Sequence, residues 1–172
     1  YKVMRGWMIR LDVGPDNKVH IARGSMANNP GEELAGPVKY FRFDNDTLEF
    51  SKDEMWRYRA DDRVEIDASY PNQVHLIMGC PDYPPPIDGP IWYWRSHDGG
   101  NSWSSNDIKD QNATGDNGSP DLFVDASGVV HIVYGSKKDH SVSKKPSVRY
   151  ARFVNDGKVL DRAVTNPGDI KD

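Results

Sequence analysis

Arg57, Tyr58, Arg59 and Asp61 fall together in the stretch Trp56-Arg57-Tyr58-Arg59-Ala60-Asp61-Asp62-Arg63. Two guanidinium groups one residue apart can clamp a carboxylate or a sulfate. A tyrosine between them can stack on a sugar ring or pass a proton, and an aspartate can orient an arginine. Tyr58, Arg57 and Arg59 are therefore the candidate catalytic residues, with Asp61 as a binding partner; the plainer reading is a network of surface ion pairs. A second segment, Cys80-Pro81-Asp82-Tyr83-Pro84-Pro85-Pro86-Ile87-Asp88, joins a proline-stiffened backbone to an aromatic ring and two carboxylates. That composition suits stacking on a sugar, which makes Tyr83 and Asp88 candidate substrate contacts, against a plain role as a rigid covering loop. A third, Lys137-Lys138-Asp139-His140 with Lys144-Lys145, gathers positive charge in a chain of net charge -4. Lys137 and His140 would suit an anionic glycan, and solvated lysines are the alternative.

The elements that must position these residues announce themselves as a repeat. Lys18-Val19-His20-Ile21, Gln73-Val74-His75-Leu76 and Val129-Val130-His131-Ile132 place their histidines 55 and then 56 positions apart. Upstream of each lies an apolar residue followed by aspartate, Leu11-Asp12, Ile66-Asp67 and Val124-Asp125, and then a turn at Gly14-Pro15-Asp16-Asn17, Tyr70-Pro71-Asn72 or Ser127-Gly128. Downstream come Tyr40-Phe41-Arg42, Tyr93-Trp94-Arg95 and Tyr150-Ala151-Arg152, a second turn, and Leu48-Glu49-Phe50, Ser102-Trp103-Ser104 or Lys158-Val159-Leu160. The unit has four antiparallel strands.

Four strands in roughly 55 residues, repeated with short connections, are the mark of propeller blades, whose sheets bury both faces against their neighbours. The expected fold is all-β, about three four-stranded blades over 5–56, 57–112 and 113–172, forming one propeller domain or part of a larger ring. Rings use about four to eight blades, so further blades, in the same chain or another subunit, are expected to close this one.

Histidines and arginines that recur in every blade are most simply explained by folding. Function is expected where blades differ, in the loops Arg23 to Pro37, Met78 to Pro90 and Gly135 to Ser147 and in the crossovers. Both open on one face of a propeller, around its axis. The spread of charge leaves no basic stripe for nucleic acid, and no apolar run is long enough for a membrane span. The single cysteine excludes an intramolecular disulfide and a multi-thiolate metal site. No metal site and no cofactor is expected, although a structural calcium stays open. The sequons at Asn45, Asn112 and Asn117 permit secretion without showing it.

Ser96-His97-Asp98-Gly99-Gly100-Asn101-Ser102-Trp103 fits Ser-x-Asp-x-Gly-x-Ser/Thr-Trp at the place where the repeat puts the turn between third and fourth strands. Ser96 and Asp98 can cap turn amides, Gly100 can supply positive φ, and Trp103 can plug the gap between blades. This segment resembles the Asp-box or BNR repeat of sialidases and related secreted propellers, and the Val-His-Ile hairpins with Tyr-x-Arg strands look more like BNR-type propellers of polysaccharide lyases. Phe43 and Phe153 replace the serine, and Asn45 and Asn155 the aspartate, in the other two copies. The resemblance implies that Ser96, Asp98, Gly100 and Trp103 are structural, on the face opposite an active site. It also implies an extracellular propeller acting on or binding an acidic polysaccharide, as a lyase or a sialidase-like hydrolase. A noncatalytic glycan-binding or structural propeller of a cell-surface assembly is the alternative. The Arg-Ile-Pro signature of sialidases is absent.

Overall fold

The computed structural model describes residues 8–24, 38–44, 47–56, 64–79, 91–108, 120–136, 147–155 and 157–164. Twelve strands fill these segments, and each group of four makes one antiparallel sheet in chain order. Blade 1 holds β1 (Met8–Val13), β2 (Val19–Gly24), β3 (Val38–Asp44) and β4 (Thr47–Trp56). Blade 2 holds β5 (Val64–Asp67), β6 (Val74–Met78), β7 (Ile91–Ser96) and β8 (Ser104–Ile108). Blade 3 holds β9 (Asp121–Val124), β10 (Val130–Ser136), β11 (Ser147–Val154) and β12 (Gly157–Ala163). The innermost strands β1, β5 and β9 stack in that order. Among the described residues no helix is long and apolar enough to cross a membrane.

Local chemistry sets the hairpins. Three residues before each repeated histidine the chain turns left-handed, at Asn17 (φ 62°), Asn72 (φ 59°) and Gly128 (φ 76°). Asparagine and glycine tolerate that region where branched residues do not. Sheet register then decides which side chains face the next blade. In blade 1, Arg10, Ala22 and Tyr40 lie opposite one another on one side, as do Asp12, His20 and Arg42, while Ile9 and Leu11 point to the other.

Two cores follow. Ala22, Val38 and Tyr40 of blade 1 pack against Val64, Val74, Leu76 and Met78 of blade 2. Ile77, Ile91, Tyr93 and Ile108, from the opposite side of blade 2, pack against Leu122, Val130, Ile132 and Phe153 of blade 3. A middle blade packed on both faces accounts for the apolar run in β7, where Ile91 and Tyr93 are buried on one side and Trp92 and Trp94 lie partly buried against the first core on the other. The outer faces differ. Leu11 is 63% exposed, and Phe123 on blade 3 is 60% exposed. Leu11 holds the repeat position that Ile66 fills against the first core.

Aspartates stitch the blades. Asp12 Oδ2 accepts from the Ala68 amide at 2.7 Å, and Asp67 Oδ2 from the Val124 amide at 2.8 Å. The expected third member of this series is misplaced by two residues. His20 pairs with Asp12 and His75 with Asp67, but His131 pairs with Phe123, so Asp125 stands in the turn and not in the strand. There its carboxylate accepts from the amides of Ser127 and Val129 and meets His131 Nε2 at 3.1 Å. A second correction concerns the fourth strand of blade 2, expected at Ser102-Trp103-Ser104. It starts at Ser104, because the residues before it are held in a turn.

Candidate functional site

The turn that precedes β8 is closed by its own side chains. Asp98 Oδ1 accepts from the Ser102 amide (2.8 Å) and from Ser96 Oγ (2.7 Å), and Asp98 Oδ2 accepts from Ser102 Oγ (2.6 Å). Ser96 Oγ in turn accepts from the Gly100 amide at 2.7 Å. Gly99 (φ 64°) and Gly100 (φ 92°) take the left-handed bends. Trp103 Nε1 donates to the Gly100 carbonyl at 2.9 Å, which lays the indole edge-on to Tyr40 of blade 1, centroids 4.8 Å apart. The Arg42 guanidinium donates to the Gly99 carbonyl at 2.6 Å. Ser96, Asp98, Gly100 and Trp103 thus have structural tasks, joining blade 2 to blade 1.

The hydrogen bonds from Ser102, with help from Ser96, hold the Asp98 carboxyl down to about 2 from its ordinary 3.8. A depressed acid stabilises the fold in its charged form. That contribution is complete above about pH 4 and is lost as pH falls through about 2. Asp98→Asn should therefore narrow its deficit relative to the parent chain as denaturation midpoints are measured from pH 5 down to pH 2. Parallel curves would show that the carboxylate charge is irrelevant to the turn.

The repeated histidines are tied to the repeated tyrosines of the neighbouring strand. His20, His75 and His131 Nδ1 lie 2.7, 2.6 and 2.7 Å from the hydroxyls of Tyr40, Tyr93 and Tyr150. In blade 2 the Gln73 carbonyl oxygen meets His75 Nε2 at 3.0 Å, so Nε2 carries the proton and Tyr93 donates to Nδ1. Burial pushes the His20 imidazole below its ordinary value. These pairs satisfy one another inside the blades, as expected of residues that every blade carries.

Polar chemistry that breaks the repeat lies at the other end of the strands. Arg149, 6% exposed, donates from Nε to Asp161 Oδ1 (3.0 Å) and to the Tyr134 hydroxyl (3.3 Å), and Tyr134 donates to Asp161 Oδ1 at 3.0 Å. Burial works to lower the Arg149 pKa, but its bonds to Tyr134 and Asp161 outweigh it and leave the guanidinium above its usual range. For Asp161 the same bonds overcome burial and hold the carboxyl low. Arg149 replaces Trp92 and Lys39 of the other blades, and Tyr134 replaces Met78 and Arg23. Arg23 Nε is buried with no hydrogen-bond partner among the described residues. Sequence reasoning passes over Arg23, Tyr134, Arg149 and Asp161.

Tyr58, Arg57, Arg59, Asp61, Tyr83, Asp88, Lys137 and His140 all lie outside the described residues, as do the three sequons. Their segments are anchored by described strands: 57–63 joins β4 to β5, 79–90 joins β6 to β7, and 137–146 joins β10 to β11. Antiparallel order puts all these strand ends at one end of the sheets, with Arg23 and Arg149, and the hairpin turns at the other.

Three four-stranded antiparallel sheets stacked through their innermost strands define a partial β-propeller. The α-L-arabinanase of Penicillium chrysogenum, solved in complex with arabinobiose, superposes with a TM-score of 0.63 at 15% identity. The alignment covers 98% of this chain and 52% of that one, so the chain spans about half the length of the propeller it matches. No family model and no curated protein matches the sequence.

Proposed function

We propose that the chain is part of an extracellular propeller, with an Asp-box repeat of the sialidase-like kind, that binds or cleaves an acidic polysaccharide at the end where the long connections leave the sheets. Arg23 carries the acidic part of this reading. A guanidinium N–H that is buried beside those connections with no acceptor among the described residues is suited to a carboxylate or sulfate. Arg57 and Arg59 would extend the same clamp, Tyr58 would move the proton, and Tyr83, Asp88, Lys137 and His140 would line the approach. The solved complex with arabinobiose shows this fold holding a sugar in another protein.

Further blades of the same kind would seat on the outer faces of blades 1 and 3. The exposed Leu11 holds the position that its counterpart fills against the first core, which supports that placement.

The test is incubation of the protein with uronate-containing polysaccharides, read by ultraviolet absorbance of an unsaturated product and by reducing ends. A glycan array is run in parallel on the parent chain, Arg23→Ala and Arg57→Ala. A lyase gives the absorbing product, a hydrolase gives reducing ends alone, and a binding module gives neither but retains acidic glycans on the array. About a tenfold loss is expected in each variant. Absence of binding and turnover across acidic polysaccharides, or undiminished binding in both variants, overturns the reading.

A further inference from the structure

The two blade interfaces are alike at their cores and differ at their turns. Between blades 1 and 2, the Ser96–Trp103 turn reaches over the His20–Tyr40 pair. Trp103 packs on Tyr40, and Gly100 comes so close that a Cβ there would stand 2.6 Å from Tyr40 Cζ. That space is closed.

Between blades 2 and 3 the corresponding turn is shorter, with seven residues between Arg152 and its partner Leu160 against eight between Arg95 and Ser104. It has no tryptophan. Phe153, in place of Ser96, reaches Tyr93 at 4.9 Å, and a cavity of about 310 Å³ is left over the His75–Tyr93 pair. Its volume lies at the small end of ligand pockets, about 300 to 1,000 Å³.

The lining pairs aromatic surface with amides, a hydroxyl and imidazoles. Tyr70, Tyr93 and Phe153 supply the rings, and Gly128 lets the Tyr70 ring lie against the turn, within 3.4 Å of where a Cβ would stand. Gln73, His97 and Asn155 supply amides and an imidazole, with Ser127 beside them. No carboxylate, lysine or arginine is among the described residues that line the cavity. An anion entering it would give up hydration without a lysine or arginine among those residues to pair with. A sugar with only hydroxyls would stack its C–H face on a ring and bond to the amides and hydroxyl.

We propose that this cavity binds one neutral sugar unit, at a site separate from the acidic-polymer site. It opens among the hairpin turns, at the opposite end of the sheets from the long connections. It therefore stands or falls independently of that site.

The test titrates the full chain with arabinose, galactose and glucose, and with glucuronate as the charged counterpart, followed by saturation-transfer NMR and intrinsic fluorescence. At least one neutral sugar should bind at about millimolar affinity, and about tenfold more tightly than glucuronate. Ser127→Trp puts bulk on an exposed side chain at the turn. Asn155→Gly removes an amide while keeping the backbone at its φ of 45°. Each should weaken binding about fivefold or more. The proposal is overturned if no neutral sugar binds, if glucuronate binds as well, or if both variants bind like the parent; the selectivity of the parent chain decides alone should the variants fail to fold.

Discussion

Gly100→Ala is expected to destabilise the chain by about 4 kcal/mol. A non-glycine residue held at φ 92° costs about 1 to 3 kcal/mol in backbone strain. The new methyl would also overlap the Tyr40 hydroxyl and ring. Tyr40 is fully buried and bonded to His20, so it yields only by disturbing the first core, at a further 1 to 3 kcal/mol or so. Set against the roughly 5 to 15 kcal/mol that holds a domain together, that is a large fraction. Gly99→Ala is the control. It is also left-handed (φ 64°), but among the described residues its added Cβ meets only Arg42 Nη1, at 3.8 Å. Denaturant midpoints for both variants separate the two effects, and equal losses would show that contact with Tyr40 contributes nothing.

Asp161→Ala is the second large effect, a loss of about 3 kcal/mol. Removing one member of a buried ion pair leaves the other charged and unpaired, which costs about 3 to 5 kcal/mol. The 16% exposure of the Asp161 side chain places the loss at the lower end. The Tyr134 hydroxyl and the Asp161 main-chain carbonyl would still accept from the guanidinium, but neither carries the negative charge that the Asp161 carboxylate sets against a cation buried against blade 2. The double variant Arg149→Met with Asp161→Leu should recover most of the loss, because nothing charged is then left behind. A loss below about 1 kcal/mol for Asp161→Ala would mean that water reaches the guanidinium freely.

How much of this was legible depended on which distances were read. The spacing of the histidines gave the blades, because a hairpin with a left-handed residue three positions earlier recurs wherever the histidine does. The pattern of an apolar residue before aspartate misled at Val124-Asp125. Asp12 and Asp67 precede their histidines by eight residues and Asp125 precedes His131 by six, and strand pairing follows that distance and not the local dipeptide. The Tyr134–Arg149–Asp161 cluster escapes sequence pattern for a related reason: Arg149 differs from Lys39 and Trp92 inside a strand and not in a connection. The candidate residues in the connections rest on composition alone. No strand register reaches them, so sequence pattern does not fix which of their side chains meet.

Phe123, standing where blades 1 and 2 carry an aspartate, makes the repeats non-interchangeable. A chimera that inserted a second copy of blade 2 after the first would find its inter-sheet acceptor, Asp67, already in place at each junction. A chimera that placed blade 3 in the middle would offer the next sheet an aromatic ring and no acceptor. The chain therefore reads as a series with a direction, in which each of the first two blades offers an aspartate to the blade that follows it and the third carries phenylalanine at that position.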